Sequence, residues 1–155
     1  MADPATGTHE NRAELDALFR ADTLARTLNL ELVDWSGGEA RVTGTPTEEH
    51  CNFLGGVHGG FLYSAADVAM SVASNSWGRA AVAVSIDMQY AAGARPGDVL
   101  EFAATEQTRS RRIGNYRLVV VRGERTIATA TGLTYRTDDW LLGAEAWSDH
   151  WRSRL

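Results

Sequence analysis

Between His9 and Leu30 the apolar residues Leu15, Leu18, Phe19, Leu24, Ala25 and Leu28 recur with helical spacing, and Asp16, Arg20, Asp22 and Arg26 stand between them. That pattern predicts one amphipathic helix laid on the body of the domain. Residues 31–45 alternate about a Ser36-Gly37-Gly38-Glu39 turn, with Leu32 and Trp35 on one arm and Ala40 and Val42 on the other, as in a hairpin. A polar, glycine-containing loop fills 45–57. Residues 58–77 are small or apolar on nearly every side and form too long a run for a strand. They read as a buried central helix stopped by Gly78.

The next segment, 81–90, alternates so that Val82, Val84, Ile86, Met88 and Tyr90 share one face of a strand. After a turn at Gly93–Gly97, residues 98–108 predict another strand, and 116–121 with 126–136 predict a hairpin about Gly123-Glu124. Ala128, Ala130 and Gly132 give the last strand a face of small side chains, which lets another element approach closely. The element that needs such a cradle is the helix of 58–77, so the expected fold is α+β, an antiparallel sheet wrapped around a long helix. In the tail, 137–155, Trp140, Trp147 and Trp151 are spaced by seven and four, as on one helical face. A helix packed on the body or on a second subunit is expected there.

At 155 residues and 44% apolar content the chain has the size and make-up of one domain that holds together without disulfides or metal. Its formal charge of −5 disfavours nucleic acid and anionic membrane as partners. All fifteen basic residues are arginine, so Schiff-base and P-loop lysine chemistry are excluded. The first residues, MADPATGTHENR, lack the basic flank and apolar run of a signal peptide, and no stretch approaches a membrane span, so a cytoplasmic protein is expected. Four scattered histidines and the single Cys51 offer no metal-ligand spacing, and Cys51 itself reads as an inert thiol.

Asp67 is an ionisable group in the middle of the apolar helix. A carboxylate there must be paired, neutralised by a raised pKa, or opened onto a cleft where it is used. Gly60, Ser64, Asp67, Ser71 and Ser74 follow spacings of four, three, four and three, which puts them on one polar stripe, the wall of a candidate site. Just ahead, His58-Gly59-Gly60 opens the helix with sterically accessible N–H groups, a place for an oxyanion. Gly59 and Asp67 are separated by about 12 Å of helical rise, too far to act on one atom from the same chain. If both act on one carbonyl, the site is shared across a dimer. Asn52 is positioned to align a carbonyl or a water, or simply to form its own turn. His58 suits a positioning role, because no Ser or Cys nucleophile is matched to it. Arg109, Arg111 and Arg112 crowd one strand connection, either as a phosphate dock or as a solvated turn.

Taken together, Asn52 through Asp67, with Ser74-Asn-Ser-Trp-Gly78 closing the helix, resemble the signature of the PaaI-type family of hotdog-fold acyl-CoA thioesterases. The resemblance runs from about residue 10 to Arg136 and includes the Gly93–Asp98 and Arg112–Gly114 turns, so residues 1–136 would form the hotdog domain. It implies a long central helix wrapped by a curved antiparallel sheet, in a homodimer or a tetramer of paired dimers, with sites at the dimer interface. It further implies hydrolysis of an acyl-CoA to free acid and CoA, with no cofactor because CoA belongs to the substrate. By this resemblance Asp67 is nucleophile or general base, the Gly59 N–H polarises the carbonyl, Asn52 aligns the attacking or leaving group, and His58 supports the loop. Ser71 would hold the water, Gly60 and Ser64 would line the site, and Arg111 and Arg112 would meet the CoA nucleotide. An aryl group such as a hydroxylated phenylacetyl is the implied acyl group, with a medium-chain acyl group as alternative. Two other readings stand beside it: a hotdog enoyl-CoA hydratase, disfavoured because Asp67 lies deep in the helix past His58, and a non-catalytic acyl-CoA-binding module.

Overall fold

In the computed structural model, which describes residues 9–153, the helices are α1 (Arg12–Arg20), α2 (Thr23–Thr27), α3 (Gly59–Asn75) and α4 (Asp149–Arg152). The strands are β1 (Leu30–Ser36), β2 (Glu39–Gly44), β3 (Arg79–Tyr90), β4 (Leu100–Arg109), β5 (Ile113–Arg122) and β6 (Arg125–Trp140). All six strands form one antiparallel sheet in the order β1-β2-β4-β5-β6-β3, so β1 and β3 are its edges. Its inner face, built from Ala40, Val42, Phe102, Ala104, Tyr116, Leu118, Val120, Ala128 and Ala130, is buried together with Phe61, Leu62, Ala65, Ala69, Met70 and Ala73 of α3. Each large apolar side chain so buried contributes about 1.5–3 kcal/mol. The wrapped helix expected from the sequence is therefore the architecture observed, an α+β hotdog.

The small-residue face acts as the cradle it promised. A Cβ on Gly132 would land on the Met70 sulfur, and Met70 is fully buried. Gly132→Ala should destabilise the fold by about 1–3 kcal/mol through overpacking, read as a lower denaturant midpoint with an unchanged slope. An unchanged midpoint would mean that Met70 repacks freely.

Three local expectations are corrected. The single helix of 9–30 is two, because the Asp22 side chain accepts from Ala25 N at 2.7 Å and starts α2 as its N-cap. In β3 the register shifts between Ala83 and Ser85, a bulge at Val84. Ile86 and Met88 face the helix opposite Gly132 and Ala130, whereas Val82 pairs with Tyr135 on the outer face, 56% exposed. The five residues thus do not share one face. Finally, β6 continues to Trp140, which pairs with Arg79, so the helical spacing of the three tryptophans does not describe one helix.

Only Trp151 of the three lies in α4. Its indole donates to Trp77 O at 3.0 Å and its ring stacks on Trp147 with centroids 5.9 Å apart. Trp147 donates to Leu141 O at 2.7 Å and fills the space beside Gly78, whose φ of +89° suits glycine. Both rings are buried against His9 and the C-terminal end of α3, so the tail packs on its own chain.

Candidate active site

The loop before α3 is held by its own polar groups. Asn52 Oδ1 accepts from Leu54 N at 2.9 Å and Gly56 N at 3.3 Å, while Asn52 N donates to Gly56 O at 2.8 Å. This is an Asx turn, which occupies the carbonyl oxygen of the side chain and leaves its NH2 as the group able to meet a ligand. His58 N donates to His50 O at 2.8 Å, and His58 Nδ1 accepts from Gly60 N at 2.8 Å. His58 is thus the N-cap of α3 and takes the Gly60 N–H out of play. Among the described residues the Gly59 N–H donates to no group, and it lies where the positive end of the α3 dipole emerges.

Tyr90, at the end of β3, was not singled out for this site by the sequence. Its hydroxyl donates to Gly59 O at 3.2 Å, and its ring comes within 3.1–3.3 Å of where a Gly59 Cβ would stand. The signal was available only as tertiary contact: Tyr90 continues the inward face of Ile86 and Met88, which runs toward the start of α3.

Along α3, Gly60, Ser64, Asp67 and Ser71 remain on the open side of the helix. Ser74 leaves the stripe: it is 2% exposed, and its hydroxyl donates back to Ser71 O at 3.2 Å. Ser71 Oγ donates to Val68 O at 3.0 Å, and Ser71 lines a cleft of about 350 Å³ with Leu18, Asp22 and Asn75. Asp67 is half-buried and accepts no hydrogen bond among the described residues; burial, and then the charge of Asp22, push its pKa above the ordinary carboxylate value. Of the three fates open to a mid-helix carboxylate, pairing is therefore ruled out within the described chain. What remains is a carboxylate raised in basicity and open on one side.

The arginines of the β4–β5 connection are not brought to Gly59. Arg112 donates to Asp138 at 2.8 Å and to Arg136 O at 3.2 Å, and Arg109 pairs with Glu106 at 3.3 Å while stacking over Trp77 at 3.9 Å. These contacts lie at the C-terminal end of α3. Gly59 and Tyr90 lie toward the other end of the sheet: Tyr90 is level with Ala128 and Val120, and the strand from Ile113 to Val120 rises about 23 Å. Among the described residues no group of three or more His, Cys, Asp and Glu side chains comes together, and no helix is long and apolar enough to cross a membrane.

Comparison with known proteins decides the family. Residues 54–129 match the model of the Thioesterase superfamily. The chain is 29% identical to the acyl-coenzyme A thioesterase PaaI of Escherichia coli over 88% of its own length and 98% of the relative's. The E. coli PaaI structure superposes with a TM-score of 0.82 at 28% identity, covering 90% of this chain and 99% of that one. The phenylacetic acid degradation protein PaaI of Thermus thermophilus is 38% identical, with a TM-score of 0.73 over 75% of this chain and 100% of the other. The chain belongs to the PaaI-type thioesterases. As a thioester hydrolase it needs a group to attack or activate water and a donor for the carbonyl oxygen. In this thioesterase the open carboxylate of α3 and the free N–H at its start are of those two kinds.

Proposed function

We propose that this thioesterase hydrolyses an aryl-CoA, a hydroxylated phenylacetyl-CoA being the favoured type, to the free acid and CoA. Asp67 serves as nucleophile or general base, and the Gly59 N–H receives the developing oxyanion. The observation that carries the reading is the half-buried, unpartnered Asp67 with its raised pKa, on the same helix as the open Gly59 N–H. Ser71, one turn beyond Asp67, holds the water, the Asn52 amide aligns the attacking or leaving group, and Gly60 and Ser64 line the pocket. Because Asp67 and Gly59 stand about 12 Å apart along α3, each site draws one of them from a second copy, in a homodimer or a pair of dimers. An aryl group is supported by the relatives named for phenylacetic acid degradation; a medium-chain acyl group is the alternative. Residues up to Arg136 supply the catalytic body and the tryptophan tail braces it. A cytoplasmic location goes with an acyl-CoA substrate.

The test is release of CoA thiol from a panel of aryl and aliphatic acyl-CoAs. Aryl preference with Asp67-dependent release is expected; saturable binding without release would leave a non-catalytic binding module. The pH profile gives a sharper check. The carboxylate is the working form, so kcat/KM falls as pH drops through the pKa of Asp67, and the acid limb lies above the ordinary aspartate value. Asp22→Asn keeps a good N-cap on α2 but removes the charge that helps raise Asp67, so the limb should move to lower pH. A limb that stays in place would leave burial as the whole cause of the raised pKa, whereas an acid limb that survives Asp67→Asn would remove Asp67 as the titrating group.

A further inference from the structure

Where α3 stops, arginines gather beneath it. Arg136 of β6 and Arg79 of β3 are only 3% and 8% exposed. Burial first, then the charges of Arg109 and Arg79, hold the Arg136 guanidinium below the ordinary arginine value, so the three lie near one another. Arg79 donates to Asp138 at 2.9 Å and Arg109 pairs with Glu106, but among the described residues the Arg136 guanidinium has neither an ion pair nor a hydrogen bond. Glu106 is already occupied: its other carboxylate oxygen accepts from Trp77 Nε1 at 3.0 Å and from the Tyr116 hydroxyl at 2.8 Å. Tyr116 adds no negative charge, because burial and the Glu106 carboxylate push its hydroxyl well above the usual phenol range. Asp138 holds Arg112 as well as Arg79, so four guanidiniums share two carboxylates. Arg79 Nε and Arg109 Nη1 are buried with no partner among the described residues. The carbonyl end of α3 lends about half an elementary charge, which leaves the balance positive. A buried charge without a counter-charge is costly.

We propose that a compact monovalent anion, of the size of chloride or formate, binds against Arg136 between Arg79 and Arg109 and ties β3, β4 and β6 together below the end of α3. One unpaired buried guanidinium calls for one negative charge, and the free N–H groups of Arg79 and Arg109 supply further donors to it. Size is set by the surroundings. Arg109 is stacked on Trp77, Tyr116 is bound to Glu106, and both rings are buried, so the space among the arginines is enclosed and admits neither a nucleotide nor an anion with a bulky tail. The site lies toward the opposite end of the sheet from Gly59 and does not rest on the thioester chemistry. Its role is to hold the fold: Arg79 also reaches Thr137 O, so the anion would link the start of β3 to the last part of β6, from which the tryptophan tail departs.

The experiment follows thermal unfolding as chloride replaces gluconate, an anion too large to enter, at constant ionic strength. For the wild-type protein Tm should rise along a saturating curve, by about 3–6 °C once chloride exceeds its Kd about tenfold. Arg136→Met keeps a side chain of similar length without the charge, and its Tm should not respond to chloride. A wild-type Tm that ignores chloride would overturn the proposal, since the end of α3 and water would then suffice for Arg136. An equal response in Arg136→Met would overturn it too, by placing the anion elsewhere or showing a general salt effect. Should Arg136→Met not fold, Arg109→Gln serves instead: it removes one donor, so the chloride concentration at half-response should rise severalfold, and an unchanged midpoint would count against the site. Bromide gives the direct reading. Its anomalous signal in a crystal should lie in contact with the Arg136 guanidinium, and bromide bound only at other positions would overturn the assignment.

Discussion

Asp67→Asn is expected to lower kcat for thioester hydrolysis by about 10²–10⁴-fold, the span over which a positioned acid–base group acts. Asparagine has the same shape but can neither attack a carbonyl nor take a proton from water. The fold should not merely survive the change but gain from it. A half-buried carboxylate without a donor is desolvated in its charged form, and its pKa is raised in the folded protein. Since the folded pKa exceeds the unfolded one, the native state binds more protons in the window between them, and wild-type stability falls as pH rises through it. The cost is fully present above the raised folded pKa and absent below the ordinary carboxylate value. Asp67→Asn removes it, so the variant's Tm should exceed that of wild type at neutral pH and the two should converge in acid. A dead variant with a raised Tm is the mark of a residue kept for chemistry at the expense of stability. Turnover within a few-fold of wild type would remove Asp67 from the mechanism, and a lowered Tm would mean that it has a structural partner.

The same logic explains which parts of the molecule were legible in the sequence. Helix α3 was readable because burial on all sides makes its composition distinctive, and Ala128, Ala130 and Gly132 announced their neighbour by leaving room for it. Asp67 was conspicuous for the converse reason, a charge where the pattern forbids one. Asp22 was misread because an aspartate inside a helical pattern and an aspartate capping a second helix look alike until Ala25 N is found on its carboxylate. A bulge leaves no mark in an alternating run, so Val84 hid the reversal that sends Val82 outward. Arg111 and Arg112 stand out as a cluster in sequence, but only the fold shows that on one chain they lie away from Gly59. Burial patterns were therefore legible, whereas a cap, a bulge and tertiary adjacency were not, and Tyr90 beside Gly59 is the clearest instance of the last.

Subunit mixing should restore activity that neither parent variant possesses. Gly59→Ala would set a methyl 3.1–3.3 Å from the Tyr90 ring, so either the ring or the first turn of α3 must shift, and the oxyanion donor with it. Loss of an aligned oxyanion donor costs about 10²–10³-fold in turnover. Alone, the Gly59→Ala and Asp67→Asn proteins are both expected to be nearly inactive. If each site takes Asp67 from one copy and Gly59 from the other, a mixed dimer contains one site with both changes and one with neither. Random reassortment makes half of the dimers mixed, and half of their sites intact, so about a quarter of the wild-type activity should return when the two variants are unfolded together and refolded. A site made within one chain gives no such recovery, because every chain in the mixture carries a defect. Recovery near a quarter would establish that the 12 Å between the two groups, about eight residues of helix, is bridged by a second copy. Absence of recovery, with mixed dimers demonstrated by differential tagging, would require one chain to bring its own carboxylate to its own N–H, which the straight run of α3 from Gly59 to Asn75 opposes.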